Sequence, residues 1–322
     1  MNFRLMLSIV LLSWAGFAHG QDFPTRPIHI VIPYAPGGGS DILARPVGQD
    51  MSERLKQPVV IENKGGAGGN IGAQVVAKSA PDGYTLLLAN NSHVINPYIY
   101  KDPGYDMAKD FAPVSLLATS PMIIVVHKSV EVKTLAELVA YAKKNPGKMN
   151  LSTAGIGTPG HLAPLVFFKL AGIDIVPVAY KGSGPAVMAL LQKEVDVHFA
   201  TPAVVAPHIK TGDFRALGVT TKTRFAAFPD VPTVAESGIP GMADFNMAVW
   251  WGVLAPAKTD PKVLDKLNAA VTAAVKDPKM RERWDAQGMV PTSTTRAEFQ
   301  AIINADLPKF EKVVKDNKIT AE

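Results

Sequence analysis

The chain of 322 residues has no cysteine, is 47% hydrophobic and 19% charged, and carries a formal charge of +5. Those values exclude disulfide frameworks, thiolate metal sites, iron–sulfur ligation and cysteine nucleophiles, and they exclude a disordered chain. No apolar run long enough to span a bilayer follows the N-terminus, and the length exceeds what one hydrophobic core usually serves, so two domains are expected.

Residues 1–20 read as a secretory signal peptide: Arg4, then an apolar stretch, then Ala18 and Gly20 at the −3 and −1 positions of a cut before Gln21. Cleavage leaves 32 basic residues against 28 acidic, and the lack of cysteine precludes lipid attachment at a new N-terminus. The densest basic spots, Lys143-Lys144 and Arg281-Glu282-Arg283, fit solvated helix faces rather than a nucleic-acid surface.

Strand-like and helix-like runs then alternate. Ile28–Tyr34 predicts a strand, a glycine turn follows, and a helix runs to about Lys56. Pro58–Glu62 is the next strand, and Asn70 is the expected N-cap of a helix to about Lys78. Tyr84–Ala89 is a third strand after the turn Pro81-Asp82-Gly83. Thr134-Leu135-Ala136-Glu137 opens a helix as a capping box. Met149–Thr153, Ile173–Tyr180, Val195–Thr201 and Phe214–Thr220 are further strands, with helices between them. This βαβ rhythm predicts parallel sheets covered by helices. Two long apolar runs, Val114–His127 and Met247–Ala255, break it and are expected to pass between domains. The helices from Pro261 and from the capping box Thr295–Glu298 are expected to return to the first domain.

Two glycine turns carry the strongest chemical signal. Gly155-x-Gly157-x-x-Gly160 has the letters of a dinucleotide fingerprint, but Asp174 begins rather than ends the next strand and Pro159 removes a donor. Ala35-Pro36-Gly37-Gly38-Gly39-Ser40-Asp41 lacks the Gly-Lys-Ser/Thr of a P-loop. Each turn joins a strand to a helix start, where backbone N–H groups and the helix dipole favour an anion. Facing one another, they suit a ligand with negative ends; turn chemistry alone is the plainer alternative. The cluster Asn90-Asn91-Ser92-His93 offers further neutral donors, as do Ser152, Thr153, Thr158 and His161 around the second turn. No Gly-x-Ser-x-Gly elbow, histidine pair at metal-ligand spacing or H-E-x-x-H motif occurs. Trp250 and Trp251 should face opposite sides of one strand.

With those turns in place, the chain resembles the extracytoplasmic solute receptors of tripartite tricarboxylate transporters, the Bug or TctC-type family. The matching residues are Pro33–Gly38 with Asp41 and Arg45, Glu62–Gly72, Asp82–Leu87, Asn145–Lys148, His161–Ala163, Tyr180–Ala186, Phe228–Thr233, and Trp251-Gly252 with Leu254–Ala257. The resemblance implies an α/β, two-domain periplasmic-binding-protein fold of the Venus flytrap kind, type II-like, with two interdomain crossings. The implied division is domain 1 at 21–124 plus 248–322 and domain 2 at 125–247. It also implies a periplasmic, non-enzymatic protein without cofactor or metal, expected as a monomer, that passes a small organic carboxylate to integral-membrane permease subunits.

The residues implied to hold the ligand are Tyr34, Ala35, Gly38, Gly39, Ser40, Asp41, Asn90 and Ser92 on one side. Ser152, Thr153, Ala154, Gly155, Thr158, His161, Ala200 and Thr201 face them on the other. Family members often have an acid at the position of Ala200, suited to a ligand ammonium, and another at the position of Leu165. Their replacement favours a dicarboxylate or an aromatic carboxylate such as terephthalate, with Leu165 expected to make the wall more apolar. Gly38→Val or Gly155→Val is expected to abolish ligand binding. The competing readings are a secreted two-domain hydrolase or transferase and a carboxylate sensor acting on a signalling partner.

Overall fold

A computed structural model describes residues 23–321; the expected signal peptide and its cleavage point lie outside the described residues. Two mixed sheets carry the architecture. The first contains β1 (Ile28–Ile32), β2 (Val59–Asn63), β3 (Thr85–Asn90), β4 (Phe111–Pro121), β10 (Ala248–Pro256) and β11 (Val290–Pro291), ordered β11-β4-β10-β3-β1-β2. The second contains β5 (Ile123–His127), β6 (Asn150–Thr153), β7 (Val176–Ala179), β8 (Val197–Ala200) and β9 (Phe214–Val219), ordered β7-β6-β8-β5-β9. The helices are α1 (Gly39–Leu55), α2 (Asn70–Ala77), α3 (Ser92–Ile99), α4 (Leu135–Lys144), α5 (Pro159–Ala171), α6 (Ser183–Leu191), α7 (Pro202–Lys210), α8 (Pro261–Lys276), α9 (Pro278–Asp285) and α10 (Arg296–Asn317).

Wholly parallel sheets are not what forms. β1 is flanked by parallel β2 and β3, and β6 by parallel β7 and β8, as βαβ units require. β10 runs antiparallel to β3 and β4, and β5 antiparallel to β8 and β9. The reason is connectivity. A chain that leaves a lobe on one strand and re-enters it on another runs the two in opposite directions.

The apolar run Val114–His127 does pass between the lobes: it divides at Met122, between β4 and β5. The run Met247–Ala255 does not. Its strand lies wholly in the first sheet, and the return passage precedes it, between Val219 and Ala248. Thr220 ties the two passages together. Its N–H donates to Met122 O at 3.0 Å, its Oγ1 accepts from Met122 N at 3.0 Å, and its Oγ1 donates to Met247 O at 2.6 Å.

Strand alternation divides the core cleanly. Ile28, Ile30, Ile32, Leu86 and Leu88 share one buried cluster with Leu43, Val47 and Met51 of α1 and Leu264, Leu267 and Val271 of α8. Val31, Leu87 and Ala89 share another with Val76, Val94, Ile95 and the α10 residues Phe299, Ile303 and Phe310. In the second lobe Phe167, Phe168, Phe199 and Phe245 form an edge-to-face aromatic group beneath β8, with centroids 5.9 to 6.3 Å apart. Among the described residues no helix is long and apolar enough to cross a membrane.

Local signals were mostly sound at helix starts. Thr295 and Glu298 form the full capping box. At α4 only half of it forms: Thr134 accepts from Glu137 N, while the Glu137 carboxylate takes the N–H of Lys133. Asn70 is not an N-cap. It is the first residue of α2, and its buried Oδ1 accepts from Asn96 at 2.6 Å and from the Tyr105 hydroxyl at 3.3 Å.

Candidate functional site

Four helices begin at one cavity between the lobes. Gly38, Gly39 and Ser40 line it at the start of α1, Thr158, Pro159 and Gly160 at the start of α5, Ser183 at the start of α6, and Thr201 just before α7. Tyr34, Asn90, Ala154 and Ala200 line it from the carboxyl ends of β1, β3, β6 and β8, where open α/β sheets present their loops to ligands. Met122, Phe199, Val249 and Trp251 complete the wall, and no lining residue carries a charged side chain.

None of the four N-caps, Gly38, Thr158, Gly182 and Thr201, makes a side-chain capping bond. The first amides of these helices lack intrahelical acceptors, and each start carries a fraction of positive charge. Two such turns were expected; the structure converges four. This is an electropositive pocket built without a cation.

Tyr34 is buried, its hydroxyl 2.7 Å from Ser92 Oγ and 3.0 Å from Asn90 Oδ1. Burial pushes its pKa up to about 12, against the opposing effect of the hydrogen bonds to Ser92 and Asn90, so the phenol stays a donor. Ser92 N–H donates to Asn90 Oδ1 at 2.9 Å. From β10, the Trp251 indole donates to Ser40 Oγ at 2.9 Å. Trp250 faces the other side, against Phe299, and donates to Asp306 at 2.7 Å, so the tryptophan pair does straddle the strand.

Of the sixteen residues expected at the ligand, Tyr34, Gly38, Gly39, Ser40, Asn90, Ala154, Thr158, Ala200 and Thr201 line this cavity. The other seven do not. Ala35 spends its N–H on Lys181 O, at 2.9 Å across the lobes. The Asp41 carboxylate turns away, taking Arg45 at 2.7 and 3.0 Å, Gly37 N and Asn63 Nδ2. Burial opposes its charge, but Arg45, Gly37 and Asn63 together hold its pKa below the ordinary value.

Ser92 stands behind Tyr34. Ser152 is buried with its Oγ 3.1 Å from His198 Nδ1, and Thr153 Oγ1 accepts from Gly155 N. His161 Nδ1 accepts from Gly157 N at 3.3 Å. Gly155 lines an adjoining compartment with Gly66–Gly69, Tyr100, Ile156, Tyr180 and Lys181, which shares Tyr34 and Ala154 with the first.

Two finer expectations change as well. Thr158 lines the cavity, but its hydroxyl proton goes to Gly155 O at 2.7 Å, so its oxygen is left to accept rather than donate. Leu165 does not line the cavity; it is partly buried against apolar clusters of both lobes. Ser183 lines the cavity without having been expected at the ligand, although it lies in the matching run Tyr180–Ala186. Glycine before a helix start, the signal used at the other two turns, is present there too.

The histidines around the site make acid the weak flank of this fold. His93, His161 and His198 are each pushed down to about 4 from the ordinary 6.5 by burial. A folded-state pKa below the unfolded one means the unfolded chain takes up protons first, so stability is complete above pH 6.5 and falls as pH drops towards 4. The thermal midpoint is therefore expected to decline across that interval, with proton uptake on unfolding near pH 5 by calorimetry. A midpoint flat from pH 7 to 4.5 would contradict it.

Across the cleft the second lobe meets the first through its own backbone at Ile156 and Gly157. Tyr100 donates to Ile156 O at 3.1 Å, and Gly68, at φ +64°, lies so close that a Cβ there would overlap the Ile156 carbonyl oxygen. A Cβ on Gly157 would overlap Asn96 Oδ1 in the same way.

Two α/β lobes, two passages and a cavity ringed by helix starts define a two-domain periplasmic-binding-protein fold. The chain belongs to the tripartite tricarboxylate transporter family of receptors, whose family model matches residues 43–319. Among solved structures it is similar to the periplasmic binding protein BugD, with 35% identity and a TM-score of 0.89 over 92% of this chain and 99% of that one. It is similar to Rpa4515 of R. palustris, solved with adipate, with 34% identity and a TM-score of 0.89 over 93% and 99%. MatC (Rpa3494) of Rhodopseudomonas palustris, solved with bound malate, shares 32% identity with a TM-score of 0.86 over 91% and 100%. The chain is thus a solute-binding receptor, of a non-enzymatic class.

Proposed function

We propose that this receptor captures a small organic carboxylate in the cleft between domain 1 (21–124 plus 248–322) and domain 2 (125–247) and delivers it, in the periplasm, to the membrane permease of a tripartite tricarboxylate transporter. The observation that carries this reading is the cavity: four uncapped helix starts and neutral donors from the two lobes, together with the apolar Met122, Phe199, Val249 and Trp251. Helix starts satisfy anions through amides, and the apolar wall favours a ligand with a hydrophobic body. Adipate and malate, the ligands of two relatives, support the carboxylate class. Ala200 leaves no acid in the wall to pair with an ammonium, so the ligand is a dicarboxylate or an aromatic carboxylate, terephthalate being an example.

A thermal-shift panel of aliphatic, aromatic and amino-acid carboxylates tests this. Terephthalate, adipate or malate should give the largest rise in midpoint, following the logarithm of ligand concentration. A largest shift with glutamate or aspartate would overturn the ligand class, and turnover of a chromogenic ester would overturn the receptor reading.

A further inference from the structure

We propose that Trp251 is a positioning residue: through Ser40 it makes the cleft select an ionised carboxylate over the matching carboxamide. The proposal rests on the carboxylate reading above and assigns the device that enforces it. An indole N–H can only donate. At 2.9 Å from Ser40 Oγ it therefore occupies one of that oxygen's lone pairs. Ser40 is the second residue of α1, so no carbonyl of its own helix lies one turn back to take its proton, and among the described contacts its hydroxyl donates to no protein atom. Its proton is left for whatever occupies the cavity that Ser40 lines.

Asn90 is sorted by the same logic. Its Oδ1 receives the Ser92 amide at 2.9 Å and the Tyr34 hydroxyl at 3.0 Å. A backbone N–H cannot accept, so this side of the amide must be the oxygen, and the –NH₂ is the end left over. With the first amides of α1, Ser40 and Asn90 present hydrogens to the cavity from the first lobe, while the Tyr34 oxygen, its proton spent on Asn90 and Ser92, is the acceptor there. A carboxylate, which only accepts, matches those donors at both oxygens. A carboxamide of the same shape brings two hydrogens of its own against the donors at Ser40, Asn90 and the start of α1. A site whose donors an isostere leaves unpaired rejects it, here by about 100-fold or more. Across the cleft Thr158 has the opposite polarity, because its proton is spent on Gly155 O. The discrimination therefore belongs to the first-lobe end of the cavity.

The test combines a ligand-free spectrum with a binding cycle. In ¹⁵N-tryptophan-labelled protein the Trp251 indole peak, assigned by Trp251→Phe, should move upfield in Ser40→Ala; an unmoved peak overturns the proposal. Calorimetry then uses whichever of terephthalate, adipate and malate stabilises the wild type most, alongside its diamide. Trp251→Phe and Ser40→Ala should each weaken carboxylate binding about tenfold, the double variant should lose about the same as either single one, and the preference over the diamide should fall in step. Additive losses, or equal losses for acid and diamide, would make Trp251 a shape-filling wall and overturn the assignment while leaving the receptor reading intact. A wild type that binds none of the three acids overturns both.

Discussion

Gly68→Ala is expected to weaken carboxylate binding on the order of 100-fold or more, through the loss of roughly two charge-assisted hydrogen bonds from the opposite lobe, and to leave the separate lobes folded. The new methyl would occupy the space of the Ile156 carbonyl oxygen, which belongs to the other lobe and already accepts from Tyr100. Both partners are backbone, so neither can rotate away. The lobes must stay apart, and a ligand then meets one wall instead of two. A ligand favours the closed state only by its differential affinity for it, and that difference is what the methyl removes. Gly68 sits at φ +64°, so alanine also costs about 1–2 kcal/mol of backbone strain, small beside the binding effect. Calorimetry measures the affinity, and small-angle scattering should show no compaction on adding ligand. A wild-type dissociation constant in Gly68→Ala would show that the contact is not part of the bound state.

The second large effect concerns stability. Phe167 is fully buried and meets Phe168, Phe199 and Phe245 edge to face. Phe167→Ala should cost about 3–5 kcal/mol, the transfer free energy of the ring together with the cavity it leaves. Net stabilities are only about 5–15 kcal/mol, so the variant should unfold about 10 °C earlier or more. Phe199 belongs both to this group and to the ligand wall. The same variant should therefore weaken binding a few-fold at temperatures where it is still folded. Urea titration and calorimetry check the two parts; a loss under about 1 kcal/mol would mean that the aromatic group repacks freely.

The glycine turns were legible because their signal is local: a β-branched run, glycine, and a helix start within about ten residues. The same locality explains what was overlooked. α3 (Ser92–Ile99) reads as a polar turn, since Ser92, Asn96 and Pro97 are poor helix formers and its stability comes from packing Val94, Ile95 and Ile99. Ser92 and Asp41 have the right chemistry at the right loop but spend it on Tyr34 and Arg45. Sequence alone does not say which way a side chain on a turn points. Trp251 was recognised as one half of a straddling pair, yet its partner Ser40 is more than two hundred positions away. The antiparallel members of each sheet follow from a chain path between lobes, which no periodicity encodes.

The knot of bonds at Thr220 bears on how the molecule moves. Because Met122 and Met247 are both fastened to that one residue, the two connecting segments cannot slide past each other. Any rotation of one lobe against the other would then turn about this residue, and the Gly68–Ile156 and Ala35–Lys181 contacts would re-form at the same place each time the lobes met.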